Sequence, residues 1–125
     1  MAGERILVVD DEADIVELLR EVLEADGYVV DAAPDAGEAL RLIRQNLYDA
    51  ALLDFNLPDM DGVMLHHQIR QIDSDLASCT IFMSGLLQSE DNLGYYLSQS
   101  GGFLAKPFDI EEVRRRVLLV LGEES

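Results

Sequence analysis

The chain has 125 residues, of which 49% are hydrophobic, and a formal net charge of −16. That length fits a single domain, residues 1–125 with a core of about 5–121, and the apolar fraction excludes a disordered chain. The negative charge argues against direct contact with nucleic acid or with an anionic membrane surface, because both would be repelled. No stretch approaches the ~20 apolar residues of a membrane span. The N-terminus runs from Met1 straight into a predicted strand without a signal peptide, so a cytoplasmic protein is expected. The single cysteine, Cys79, excludes an internal disulfide and is expected to be a buried small hydrophobe.

Strand and helix patterns alternate five times. Arg5 to Val9 is a short apolar run that predicts a fully buried strand. Glu12 to Asp26 predicts a helix with Ile15, Leu18, Leu19, Val22 and Leu23 inward, an acidic first turn and Gly27 as its stop. Tyr28 to Ala33 is the second strand. Asp35 to Asn46 is the second helix, with Ala39, Leu40 and Ile43 on one face that Leu47 continues; Pro34 stands at its start and Asn46 serves as its cap.

Asp49 to Leu53 predicts the third strand, followed by the loop Leu57-Pro58-Asp59-Met60-Asp61-Gly62. A third helix over about Val63 to Ile72 turns Leu65, Ile69 and Ile72 inward. Cys79 to Met83 is the fourth strand. Glu90 to Ser100 is a weaker helix, with Leu93, Tyr96 and Leu97 on its apolar face and Gly94 against it. Phe103 to Ala105 is a short fifth strand. Asp109 to Leu121 is the last helix, with Ile110, Val113, Val117, Leu118 and Leu121 inward. Such regular alternation gives an α/β fold, a five-stranded parallel sheet with helices on both faces.

In that fold the C-terminal ends of the strands meet along one edge of the sheet. Asp10 and Asp11 close the first apolar run, Asp54 the third, and Lys106, the chain's single lysine, follows the fifth. Three carboxylates and one ammonium would meet at one crevice. Carboxylates crowded in this way repel one another unless a cation lies between them, which points to a hard divalent metal beside a modifiable aspartate.

The segments Val8-Val9-Asp10-Asp11-Glu12, Leu53 through Gly62, Met83-Ser84-Gly85 and Lys106-Pro107-Phe108 resemble the four signature segments of bacterial response-regulator receiver domains. The match runs from Arg5 to about Leu121 with the motifs in order and at matching spacings. The resemblance implies a flavodoxin-like (βα)5 fold and a phosphoacceptor module of a two-component or phosphorelay system. Asp54 would be the phosphoacceptor. Mg²⁺ would be held by Asp11, Asp54 and the backbone carbonyl of Asn56, with Asp10 acting through a water. Lys106 and Ser84 would each meet a phosphoryl oxygen, and Gly85 would let the backbone come close.

The resemblance further implies a switch through Ser84 and Phe103, and a phosphoryl donor that is a histidine kinase or a histidine phosphotransfer protein. An output partner or attached effector domain would use the face of the fourth helix, fifth strand and last helix, near Tyr95 or Tyr96 and Arg114-Arg115-Arg116. A plain solvated face with Glu111 and Glu112 as ion-pair partners is an equal reading of those arginines. Whether that face also forms a phosphorylation-dependent dimer, and whether the chain acts alone or was cut from a longer protein, are left open by the sequence. Phe103 and Ser84 stand where Tyr and Thr are common, and Leu86 and Asn56 lie two residues beyond Ser84 and Asp54. His66 and His67 point about 100° apart on a helix and are expected to be surface residues.

Three other readings are weaker. A haloacid-dehalogenase-like phosphohydrolase needs a second Asp where Asn56 stands. A nucleotide or flavin carrier needs a Gly/Ser/Thr-rich loop where Asp10-Asp11-Glu12 stands. A receiver-like domain working by contact alone would not need the complete set of site residues.

Overall fold

A computed structural model describes residues 3–85 and 102–122. The helix expected over Glu90 to Ser100, together with Leu86, Gly94, Tyr95 and Tyr96, lies outside the described residues. The described chain runs β1 (Arg5–Val9), α1 (Ala13–Ala25), β2 (Val29–Ala33), α2 (Ala36–Gln45), β3 (Ala50–Asp54), α3 (Gly62–Ile72), α4 (Ser74–Ser78), β4 (Thr80–Ser84), β5 (Gly102–Ala105) and α5 (Ile110–Leu121). The strands form one parallel sheet in the order β2-β1-β3-β4-β5.

Alternation along the strands divides the core in two. Leu7 and Val9 of β1 and Ala51 and Leu53 of β3 face Ala39, Leu40, Leu65, Ile69 and Leu76 on one side of the sheet. Ile6, Val8, Ala50 and Leu52 face Leu19 and Leu23 of α1 and Val113 and Val117 of α5 on the other. Because both faces of the central strands are covered, β1 reads as the nearly unbroken apolar run expected, and β3 is likewise buried along its length, while the edge strand β2 carries Asp31 and exposes Val29. β1 lies between β2 and β3, so the connections leaving β1 and β3 diverge and open a crevice beyond the carboxyl ends of those strands.

The ends of elements account for most departures from the sequence reading. Leu47 is 82% exposed because α2 stops at Gln45 and Asn46 is extended (φ −138°), carrying the next side chain off the helix face. Asn46 does cap α2, its backbone N–H and side-chain amide both donating to the Leu42 carbonyl. Ile72 and Ile110, at the terminal residues of α3 and α5, are exposed, and Leu118 lies off the Val113–Val117 face. The short helix α4 was not anticipated; Asp73 caps it by accepting the Leu76 N–H at 3.1 Å. Cys79 therefore closes α4 rather than opening β4, and is only partly buried, its thiol donating to the Val120 carbonyl at 3.3 Å.

His66 is buried and not a surface residue. Its Nε2 lies 2.9 Å from the Ala77 carbonyl and its ring 5.1 Å from that of Phe82. Burial pushes its pKa below the ordinary imidazole value, with Arg70 and His67 acting the same way and the Ala77 carbonyl opposing. The folded state thus binds fewer protons at this site than the unfolded chain, and stability is lost as pH falls below about 6.5. Melting curves of the wild type and His66→Leu should diverge on acidification from neutral pH, the wild type losing more; parallel curves would rule this out.

Candidate functional site

The crevice is built from the carboxyl ends of β1, β3, β4 and β5. Asp10 follows β1, its N–H donating to the Ala33 carbonyl of β2 at 3.1 Å. Its side chain is fully buried, and Oδ1 accepts the Glu12 N–H at 2.9 Å. Asp54 ends β3 with a side chain 7% exposed, and Oδ1 accepts the Asn56 N–H at 3.2 Å, an Asx turn that starts the following loop. Ser84 ends β4 and is buried. The Lys106 N–H donates to the Ser84 carbonyl at 2.8 Å, which ties the two strand ends together, and the Lys106–Pro107 bond is cis.

Lys106 reaches into the middle of this group. Its Nζ lies 2.7 Å from Asp10 Oδ2, 3.0 Å from Glu12 Oε1 and 3.4 Å from Asp54 Oδ2. Burial alone would lower the Lys106 pKa, but the hydrogen bonds to Asp10 and Glu12, with the charges of Asp10 and Asp54, raise it above the ordinary value. Asp54 moves the other way for a carboxylate. Burial, with the charge of Asp10, raises its pKa against the Asn56 N–H and the more distant ammonium. The lysine is therefore spent first on Asp10 and Glu12, and Asp54 carries an incompletely compensated charge.

Carboxylate oxygens of Asp10, Glu12 and Asp54 all lie within 4.8 Å of one another. Asp11 is exposed and outside that group. Glu12 is the residue the sequence reading passed over; the signal was its place directly after Asp10-Asp11 at the end of the first strand. A groove lined by Asp10, Asp11, Val16, Ala32 and Ala33 adjoins the crevice at Asp10.

The loop after Asp54 is closed tightly. Gly62 N–H donates to the Phe55 carbonyl at 2.8 Å, and Asn56 bridges Asp61. A Cβ at Gly62 would stand 2.9 Å from Phe55 Cα and 3.1 Å from the Asp54 carbonyl oxygen. Both neighbours are backbone and cannot step aside cheaply. Gly62→Ala is expected to cost about 1–3 kcal/mol, the range for overpacking; an unchanged urea midpoint would contradict this.

Phe103 on β5 is half-buried and packs against the core, its ring 6.1 Å from Phe55, which stacks on Phe82 at 4.6 Å. On α5 the arginines hold local ion pairs: Arg114 with Glu111 (3.2 Å), Arg115 with Glu112 (2.7 Å) and Arg116 with Glu112 (3.0 Å), while Arg114 also reaches Asp26, the residue that caps the C-terminus of α1.

Residues 6–118 match the response regulator receiver domain family. The transcriptional regulatory protein PrrA of Mycobacterium tuberculosis is 35% identical over 117 residues, covering 94% of this chain and 49% of that protein. The transcriptional regulatory protein DltR of Streptococcus agalactiae is 33% identical over 121 residues, covering 97% of this chain and 53% of that protein. The chain thus spans about half the length of the curated relatives it matches. Among solved structures, the response regulator TrrA of Thermotoga maritima, determined in complex with Mg²⁺–BeF, superposes with a TM-score of 0.83 at 31% identity, covering 94% of this chain and 99% of that one. A CheY-like receiver domain protein of Methanospirillum hungatei gives 0.88 at 28% identity, with 98% and 96% covered.

The chain belongs to the response regulator receiver domain family. It is a signalling module of the two-component type with the CheY-like fold, and phosphorylation on an aspartate and Mg²⁺ binding are general to that family. No described helix is long and apolar enough to cross a membrane.

Proposed function

We propose that Asp54 is the phosphoacceptor of this domain and that a histidine kinase or a histidine phosphotransfer protein is the donor. The observation that carries the reading is the convergence of Asp54, Asp10 and the Lys106 ammonium at the topological switch point. A carboxylate oxygen of Asp54 attacks phosphorus as the P–N bond to the donor histidine breaks, and the electron pair leaves with the imidazole. Lys106 pairs with a phosphoryl oxygen once the charge on Asp54 has grown, and the Ser84 hydroxyl donates to another.

Asp54 and Asp10 of the acidic cluster, with Asp11 exposed on the groove beside Asp10, supply hard oxygen donors that fit Mg²⁺, a cation that takes one or two carboxylates with carbonyls and waters. Asp11, Asp54 and the Asn56 carbonyl would hold it, with Asp10 acting through a water. When bound it neutralises charge shared by Asp54 and the incoming phosphoryl group. The domain catalyses its own phosphorylation and dephosphorylation at this site.

Phosphorylation shifts a two-state equilibrium through Ser84 and Phe103. The output is an interaction of the face that includes β5 and α5 with a partner or attached effector domain, and phosphorylation-dependent dimerisation uses the same face. PrrA and DltR are named transcriptional regulatory proteins, which supports an effector of that kind. The negative net charge supports a reading in which DNA contact lies outside this domain, and the cytoplasm is the proposed location.

Intact mass after incubation with acetyl phosphate tests the reading. One added phosphoryl group with Mg²⁺, and none in EDTA, is expected; uptake that ignores the chelator would overturn the metal-assisted mechanism.

A further inference from the structure

The loop from Phe55 to Gly62 is closed at its base by the Gly62 N–H and the Asn56–Asp61 bridge. Its tip is tied to a different element. Asp59 Oδ1 accepts the Ala36 N–H at 2.9 Å and Oδ2 accepts the Gly37 N–H at 3.0 Å, across more than twenty positions of sequence. These are the first two amides of α2, and the third, Glu38 N–H, goes to Asp35 Oδ1 at 2.8 Å. The start of α2 is thus capped twice, locally by Asp35 and at long range by Asp59. A bidentate carboxylate on two helix N-terminal amides is a charge-assisted contact favoured by the helix dipole. The two amides hold the Asp59 carboxyl below its ordinary pKa.

Local capping alone does not call for this arrangement, since Asp35 already serves α2. What Asp59 adds is a fixed position for the loop that carries Asn56, and Asn56 in turn donates its N–H to Asp54 Oδ1. We propose that Asp59 is a positioning residue: by anchoring the loop tip to the N-terminus of α2 it fixes the Asn56 carbonyl and the Asp54 carboxylate for Mg²⁺. This rests on the metal-binding role proposed above for Asn56 and Asp54. Asp59 touches neither the metal nor the phosphoryl group, so its effect falls on metal affinity and not on the chemical step.

The test compares Mg²⁺ titrations of the full chain by calorimetry, with phosphorylation rates from acetyl phosphate, for the wild type, Asp59→Ala, Asp59→Asn and Asp35→Ala. Asp59→Ala should raise the Mg²⁺ dissociation constant by about tenfold, the lower end for outer partners of a metal site. Its rate at saturating Mg²⁺ should match the wild type. Asp59→Asn, which keeps one acceptor, should fall between. Asp35→Ala removes the local cap of the same helix and should leave Mg²⁺ affinity unchanged. Wild-type affinity in Asp59→Ala, or an equal loss in Asp35→Ala, would overturn the positioning role while leaving the phosphoacceptor reading intact. Absence of Mg²⁺ binding in the wild type would overturn both.

Discussion

Lys106→Ala should destabilise the metal-free protein and nearly silence phosphoryl uptake. The ammonium is the shared partner of two buried carboxylates, Asp10 at 2.7 Å and Asp54 at 3.4 Å. Removing one member of a buried ion pair leaves the other charge desolvated, at a cost of about 3 kcal/mol here, the lower end of the usual range because the third partner, Glu12, is exposed. Mg²⁺ should restore part of this loss by taking over the neutralising role. It should not restore the rate, because a preorganised charge at the transferring group is worth about 10²–10³-fold. Chemical denaturation in EDTA and in Mg²⁺, together with the rate of mass gain from acetyl phosphate, gives both readings. A variant as stable as the wild type in EDTA would show that Lys106 does not offset the carboxylate repulsion.

The second large effect concerns Asp54 itself. Repulsion among Asp10, Asp11 and Asp54 predicts from sequence that neutralising Asp10 stabilises the chelated protein. The geometry moves that expectation to Asp54. Asp10 uses both oxygens, one on Lys106 and one on the Glu12 N–H, so its charge is well met. Asp54 is the farther partner, and burial raises its pKa. A carboxyl whose folded pKa is raised holds its proton more tightly in the folded state. Stability is then greatest below the ordinary carboxylate value and falls as pH rises through the folded pKa. At neutral pH without metal, ionised Asp54 works against the fold. Asp54→Asn should therefore melt higher than the wild type in EDTA by several degrees, with the gap closing as pH falls, while taking up no phosphoryl group. Asp10→Asn should melt lower. If Asp54→Asn melts lower than the wild type in EDTA, the crevice does not store this repulsion.

The fold was readable because the central strands β1 and β3 are apolar on both faces and the long helices α1, α2, α3 and α5 on one. Asp10, Asp54 and Lys106 could be placed together because parallel strands put their carboxyl ends on one edge. What the sequence could not carry was which acid the lysine chooses. Asp10, Glu12 and Asp54 are equivalent by residue type, and only side-chain reach across the crevice gives Asp10 and Glu12 precedence. Helix ends were the other weak point. Periodicity assigned Leu47, Ile72, Ile110 and Leu118 inward, but a face stops meaning burial where the backbone leaves the helix or the neighbouring layer ends. His66 shows the reverse case, a polar side chain held in the core with its Nε2–H donating to the Ala77 carbonyl of α4. Asp59 is in sequence only a member of a loop punctuated by Pro58 and Gly62, and its ties to Ala36 and Gly37 depend on how that loop meets the start of α2.

The most direct measurement locates the phosphoryl group. An aspartyl phosphate is an acyl phosphate, so borohydride reduces it to an alcohol and converts the modified aspartate into homoserine. After incubation with acetyl phosphate and Mg²⁺, reduction and peptide mapping should find homoserine at position 54 alone, and none in protein treated without donor. Homoserine at another acid, with Asp54 recovered intact, would contradict the assignment of Asp54 as the phosphoacceptor.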